Sequence, residues 1–397
     1  MRDPTAFLKE EYDSLVRDEL DWKLRVLQGP SLPWCEVDGR EVLMLCSNNY
    51  LGLSNHPRLK EAAIEAVRTH GAGSGSVRPI AGTMDLHIEL ESRLARFKHA
   101  QASLVYQTGF AANAGLIPQL VGKGDLIISD ELNHGSIIDG VRLAHSDRAV
   151  YKHCDVADLE KVLAEAERQS PAPRRILVIT DGVFSMDGDV APLPGIARLA
   201  HEHGAMLYVD DAHGEGVLGE GGRGIVEHFR LPRDRVHVEM GTFSKAFGVV
   251  GGHVSGSQDL VNFAYNRSRT WLLSGSHPPA VAAACIAAVD VLETEPQHVR
   301  TLWDHTTYFK RSMQQLGFDT GKSQTPIIPI MVGDSGLAKK LSQRLFEERV
   351  FALPIIFPMV AKDKARIRTI MNAAMSRSDL DFAISAFERV GRELRII

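Results

Sequence analysis

From about residue 90, short runs of apolar and β-branched residues alternate with helix-length intervals, and each run ends in polar or glycine-rich positions. The runs SLVYQ (103–107), DLIISD (125–130), RAVYKH (148–153), ILVITDG (176–182), AMLYVDDA (205–212), VHVEMGTF (236–243) and GHVSG (252–256) read as strands. Strands separated by helices predict an α/β architecture with a parallel sheet. Ahead of them, MRDPTAFLKEEYDSLVRDELDW reads as an amphipathic helix, with short strands around Val37 and Val42–Leu45. Past residue 290 the grammar changes to a helix (302–316), a strand TPIIPIMVG (325–333), a helix (336–348), strands in VFALPII and ARIRTIM, and a last helix (378–394). This predicts an N-terminal arm at 1–55, a large domain at 56–290 and a smaller α+β domain at 291–397.

Composition narrows the function classes. The 397-residue chain is 44% hydrophobic and 24% charged, with a formal net charge of -5. That is ordinary globular material without the basic excess that nucleic acid or an anionic membrane surface would require. The most apolar stretch, Pro278 to Leu292, is broken by Asp290 and falls short of the roughly 20 residues of a spanning helix. The N-terminus places charges where a signal peptide needs an apolar core. The four cysteines form no CxxC pair, which argues against a disulfide framework or a structural metal and suits a reducing cytoplasm. Small molecules are the expected partners.

In open α/β sheets, ligands sit beyond the carboxyl ends of the strands, where side chains leave the ladder and helix N-termini point outward. SLVYQ leads into Thr108, Gly109 and Phe110; DLIISD into Asn133 and His134; ILVIT into Asp181, Ser185 and Asp187; MLYV into Asp210, Asp211 and His213; VHVEMG into Thr242, Ser244 and Lys245. A lysine, two histidines, a carboxylate and several hydroxyls would meet at one edge. Pyridoxal phosphate (PLP) chemistry needs this set: a lysine for the Schiff base, a carboxylate to keep the pyridine nitrogen protonated, and a helix N-terminus with hydroxyls for the phosphate. Lys245 and Asp210 take the first two roles. Gly109 and Phe110 offer backbone N–H groups to the phosphate, joined by the Thr242 and Ser244 hydroxyls.

The segments SNNYLGL (47–53), SDELNHGSIIDG (129–140), TDGVFSMDGD (180–189), VDDAHGEGVLGE (209–220) and GTFSKAFGVVGG (241–252) together resemble the α-oxoamine synthase family of PLP enzymes, from about residue 40 to the C-terminus. The resemblance implies the fold-type I, aspartate aminotransferase-like architecture and a condensation of an amino acid with an acyl-coenzyme A (CoA) thioester. It further implies that Lys245 moves the α-proton, that His134 stacks on the pyridine ring, and that His213 and Ser185 contact the ring's phenolic oxygen. Arg368, with Asn48, would bind the substrate carboxylate. The family's sites lie at a homodimer interface, so Ser274 and Ser276 would reach the phosphate of the other subunit's cofactor.

Three positions depart from the family pattern: Gly135 where a slightly larger residue such as alanine is usual, Trp271 in Arg269-Thr270-Trp271 where Arg-Pro-aromatic is usual, and Met375 where histidine is common. None is a cofactor anchor, and each bears on substrate choice. Glycine, or else alanine, is the expected acceptor, with acetyl and pimeloyl thioesters ahead of long acyl chains; the alternatives are long-chain acyl transfer to serine or an aminotransferase of the same fold. Arg25 and Ser76 are weaker candidates for the amino-acid or acyl end. Arg366 shares a strand face with Arg368, whose place in the motif favours it. The glycine-rich GAGSGS (71–76) follows a helix rather than a strand, which removes the nucleotide-loop reading, and His201-Glu202-His203 closes a helix without a third ligand.

Overall fold

The computed structural model describes residues 3–18 and 20–397. Met1, Arg2 and Glu19 of the predicted N-terminal helix lie outside the described residues; within the rest, Ala6–Arg17 is helical and buries none of its side chains.

The centre is a seven-stranded sheet in the order Ala102–Tyr106, Gly252–Gly256, Val238–Thr242, Met206–Asp210, Ile176–Asp181, Leu126–Asp130, Asp147–Tyr151. The interior strands are buried along nearly their whole length, whereas the Asp147–Tyr151 edge is mostly exposed, as expected of a sheet covered by helices on both faces. The pairings from Val238–Thr242 to Asp147–Tyr151 are parallel. The sheet is thus mainly parallel, as expected, and Gly252–Gly256 is the exception, antiparallel to both neighbours. The reason is the connection, 243–251: it is shorter than the dozen or so residues a parallel crossover needs, so the chain must turn back. That return places the Lys245 turn at the end of Val238–Thr242.

The apolar helix Pro279–Thr294 packs on Pro57–His70 and Asp85–Phe97. Its interrupting Asp290 is ion-paired with Arg93 at 2.8 Å, so the charge marks the helix's solvent edge. Among the described residues no helix is long and apolar enough to cross a membrane.

Among the described residues there are two smaller sheets besides. Ile327–Gly333, Ala365–Ile370 and Leu353–Ile355 form an antiparallel trio. VFALPII, read as one strand, is split: Val350–Phe351 pairs in parallel with Arg40–Met44 in a sheet with Trp34–Val37, and only Leu353–Ile355 joins the trio. A side-chain period of two along such a short run carries no signal for which sheet each half joins. The helix read at 302–316 starts earlier, at Gln297.

Candidate active site

A cavity of about 160 Å³ opens at the carboxyl ends of the central strands, lined by Gly109, Phe110, His134, Asp210, His213 and Lys245 among others. Ser185, Thr242 and Ser244 also line it. Residues from five separate strand ends meet there because the parallel register brings those ends level: Asp181 lies opposite Asp210, and Asp210 opposite Met240.

The Asp210 carboxylate is held on both oxygens. Oδ1 accepts the Ala212 N–H at 3.1 Å and Oδ2 accepts from Asn113 Nδ2 at 2.7 Å. The fully buried Asn113 also donates to Ser136 Oγ (2.9 Å) and accepts from the Tyr208 hydroxyl (2.8 Å). Ser136 continues the network to His134, whose Nδ1 lies 2.7 Å from Ser136 Oγ and 3.2 Å from the Ser136 nitrogen. An N–H can only donate, so Nδ1 carries the lone pair and the ring proton sits on Nε2. Burial, reinforced by the charge of Lys245, holds the imidazole below its usual pKa against the pull of Asp210, which keeps that tautomer neutral.

Lys245 is itself depressed, first by burial, with Arg368 adding to the effect and Asp210 and Asp181 opposing it. A lysine that sheds its proton readily suits both carbonyl condensation and proton transfer. Asp181, which also lines the cavity, is pushed well up by burial and then by the Asp210 charge. Its Oδ2 accepts the His134 N–H at 2.7 Å.

Thr108 caps the helix Gly109–Leu120, its side chain accepting from the Ala111 nitrogen at 3.0 Å. The first-turn N–H groups of Gly109 and Phe110 have no helical carbonyl behind them and face the cavity as an anion cradle. Gly252 makes this turn possible: a Cβ there would lie 2.5 Å from the Gly109 nitrogen and from the Thr108 carbonyl carbon and oxygen. Thr242 Oγ1 donates to the Gly251 carbonyl at 2.7 Å, so its proton is engaged while Ser244 remains exposed.

His213 meets a partner that sequence reasoning missed. Its Nδ1 lies 2.8 Å from the Tyr50 hydroxyl. Burial pushes the phenol's pKa up, and burial together with the Lys245 and Arg368 charges holds His213 well below the ordinary histidine value. A protonated phenol donating to Nδ1 leaves Nε2–H as the donor for the cavity.

Other candidates are placed differently. Arg368 does not line this cavity; it donates to the carbonyl of Ser185, which does, at 3.2 Å. Arg366, its strand neighbour, is committed to Asp187 and the carbonyls of Met186 and Lys364. Asn48 Oδ1 is buried without a partner among the described residues. Ser274 and Ser276 lie outside the cavity, with Ser276 Oγ 2.6 Å from Ser74 Oγ in the GAGSGS loop. That loop is a close-approach segment: its Ser76 carbonyl accepts the Ser276 N–H at 3.1 Å, and Val77, the next residue, bridges Gly275. Arg25 pairs with Asp38 and Ser76 Oγ accepts from the Ala81 nitrogen. Asp211 Oδ2 accepts the Ile225 N–H, and His203 pairs with Glu167. Gly135 has open space at its Cβ position, Met375 is buried, and Trp271 is buried under the Arg78 guanidinium, 5.3 Å from its ring centroid; none lines the cavity.

The donor set fits PLP: a depressed lysine, a carboxylate fixed by two hydrogen bonds, a neutral imidazole and a capped helix N-terminus around one space. Known proteins agree with the chemistry. The family model for class I and II aminotransferases matches residues 40–387. The chain is 55% identical over 393 residues to the 8-amino-7-oxononanoate synthase of Symbiobacterium thermophilum, covering 99% of each chain. It is 50% identical over 395 residues to 8-amino-7-oxononanoate synthase 1 of Bacillus subtilis, covering 98% of each. Among solved structures, the serine palmitoyltransferase of Sphingomonas wittichii superposes with a TM-score of 0.93 at 30% identity over the full length of both chains. With this site on this sheet, the chain belongs to the class I and II aminotransferase family and, within it, to the α-oxoamine synthases, PLP-dependent enzymes that join an amino acid to an acyl group.

Proposed function

We propose that the protein makes 8-amino-7-oxononanoate from alanine and a pimeloyl thioester, releasing the thiol and carbon dioxide. The observation that carries this reading is the 50–55% identity, over essentially the whole chain, to relatives bearing that name. The name fixes the carbon balance. A nine-carbon acid with its ketone at position 7 and amine at position 8 contains a seven-carbon diacid unit and the two carbons of alanine that remain after its carboxylate leaves. Glycine, the acceptor favoured from the sequence, would leave a product one carbon shorter, so the relatives' name moves the assignment to alanine.

Bound PLP supplies a ring that takes up the electron pair left at the α-carbon when a bond there breaks. In this reading Lys245 holds the cofactor through its amine, and once released, its depressed basicity lets it carry the proton from and to the α-carbon. Asp210, kept in place by Asn113 and the Ala212 N–H, holds the pyridine nitrogen. His134 covers the ring face as a neutral imidazole, and His213 Nε2–H with Ser185 faces the phenolic oxygen. Gly109, Phe110 and Ser244 take the phosphate, while Thr242, expected from the sequence to join them, spends its proton on the Gly251 carbonyl and shapes the turn beside the site. Arg368 and the unpartnered Asn48 Oδ1 orient the amino acid, Arg368 holding its carboxylate until that group departs.

We place Arg368 in a C-terminal domain beginning near residue 291 and Lys245 in the large domain, so the amino acid binds between the two. The working unit in this reading is a cytoplasmic homodimer, in which Ser274 and Ser276 complete the partner's phosphate site. The exposed apolar residues Phe7, Leu8 and Tyr12 on the N-terminal helix and the four free cysteines support it. The test is thiol release by the PLP-loaded protein with alanine, glycine and serine, each against pimeloyl-, acetyl- and palmitoyl-CoA, with Lys245→Ala as control. Alanine with pimeloyl-CoA should lead the panel; a lead by glycine with acetyl-CoA, or serine with palmitoyl-CoA, overturns the substrate assignment.

A further inference from the structure

His153 stands outside the cavity, just past the edge strand Asp147–Tyr151, yet both of its ring nitrogens are committed. Nδ1 lies 3.0 Å from Asp130 Oδ1 and Nε2 lies 2.7 Å from Asp189 Oδ2. The ring meets Phe184 edge-on, with centroids 4.4 Å apart. Ionised carboxylates only accept, so both nitrogens carry protons and the ring is an imidazolium. Burial opposes that charge, but the hydrogen bonds to Asp130 and Asp189 outweigh it and raise the pKa to about 12. The Asp130, His153 and Cys154 side chains come close enough to suggest a metal cluster, but an imidazolium has no lone pair to give one.

The two carboxylates belong to two loops that reach the cavity. Asp130 ends the strand Leu126–Asp130 and its side chain accepts the N–H groups of Leu132 and Cys154, both at 2.9 Å; the turn it shapes delivers Asn133 and His134. Asp189 closes the loop that carries Ser185, pinned by the Val183–Val190 bridge and by the Phe184 N–H on the Asp189 carbonyl at 3.0 Å. We infer that His153 is a positioning residue: held as a cation between Asp130 and Asp189, it fixes the spacing between the loop that presents His134 and the loop that presents Ser185 to the cofactor. The consequence for turnover rests on the function proposed above; the consequence for the cofactor's surroundings does not.

The test compares PLP-loaded wild type with His153→Phe, which keeps a ring against Phe184, with the isosteric Asp189→Asn, and with the double variant. Each is read by the circular-dichroism band of the bound cofactor, by kcat and KM, and by melting temperature. The expected result is an altered cofactor band and a kcat lower by roughly ten- to a hundred-fold, the scale on which small misplacements act, with KM for the acyl thioester within about twofold of wild type. The double variant should be no worse than His153→Phe. If His153→Phe fails to fold, Asp189→Asn carries the same expectation. A wild-type band and kcat in either variant, a loss that follows melting temperature with the band unchanged, or additive losses would overturn the inference. A wild type that turns over no substrate pair sinks the proposed function instead, and the band still decides the clamp.

Discussion

Replacing Gly252 with alanine tests whether the phosphate cradle depends on close backbone approach. The added Cβ would sit 2.5 Å from the Gly109 nitrogen and the Thr108 carbonyl, against an ordinary contact of 3.4 Å or more. The clashing atoms are backbone, so no side chain can swing aside, and the helix N-terminus or the Gly252–Gly256 strand must move by about 0.9 Å. Overpacking of this kind costs roughly 1–3 kcal/mol. A shift of that size also lengthens the N–H contacts to a bound phosphate, each worth about 1.5–3 kcal/mol as a charge-assisted hydrogen bond. If the turn yields, PLP affinity should fall by roughly ten- to a hundred-fold, at about 1.4 kcal/mol per factor of ten. Titrating PLP into the cofactor-free variant and following the cofactor's absorbance gives the dissociation constant directly. A folded Gly252→Ala protein with PLP affinity within about twofold of wild type would refute the reasoning, because the cradle would then not rest on that contact.

Other substitutions probe the remaining parts. Arg368→Ala should raise KM for the amino acid by roughly ten- to a hundred-fold, as loss of a charged hydrogen bond implies, with the melting temperature held; Arg366→Ala, which strands Asp187, should lower the melting temperature. His277 is held at about 4 by burial, below the ordinary 6.5. The unfolded chain therefore takes up a proton that the folded one refuses, and stability is lost as pH falls from about 6.5 toward 4. In His277→Gln, melting temperature plotted against pH should be flatter over that window. Lys98 is completely buried 2.7 Å from Glu215 and 2.6 Å from Glu239; Lys98→Met leaves Glu215 with His253 alone and Glu239 with Arg233 alone, and should cost about 3 kcal/mol in urea unfolding, the low end for breaking a buried ion pair.

Much of the site was legible because a strand that ends in polar residues announces which side chains leave the sheet. Lys245, Asp210, His134 and His213 were found that way and meet at the cavity. Asn113 was not: it sits inside GFAANAGLIPQL, a helix with an apolar core, and only the oddity of an amide amid apolar residues marks it. Asp181 was seen leaving its strand without a role, since its place beside Asp210 depends on parallel register. Tyr50 lay inside a recognised motif, but its bond to His213 spans 163 positions, a distance no local pattern encodes. The direction of Gly252–Gly256 was recoverable from the short connection before it. The split between Val350–Phe351 and Leu353–Ile355 was not, because two-residue pairings leave no periodicity to read.

The most direct measurement of the central claim is the fate of the alanine carboxylate. Alanine labelled with carbon-13 at that position, incubated with pimeloyl-CoA and the PLP-loaded protein, should release labelled carbon dioxide and free thiol in equal amounts and leave an unlabelled nine-carbon amino ketone. Thiol release with the label retained in the product, or transfer of the amino group without thiol release, would contradict it.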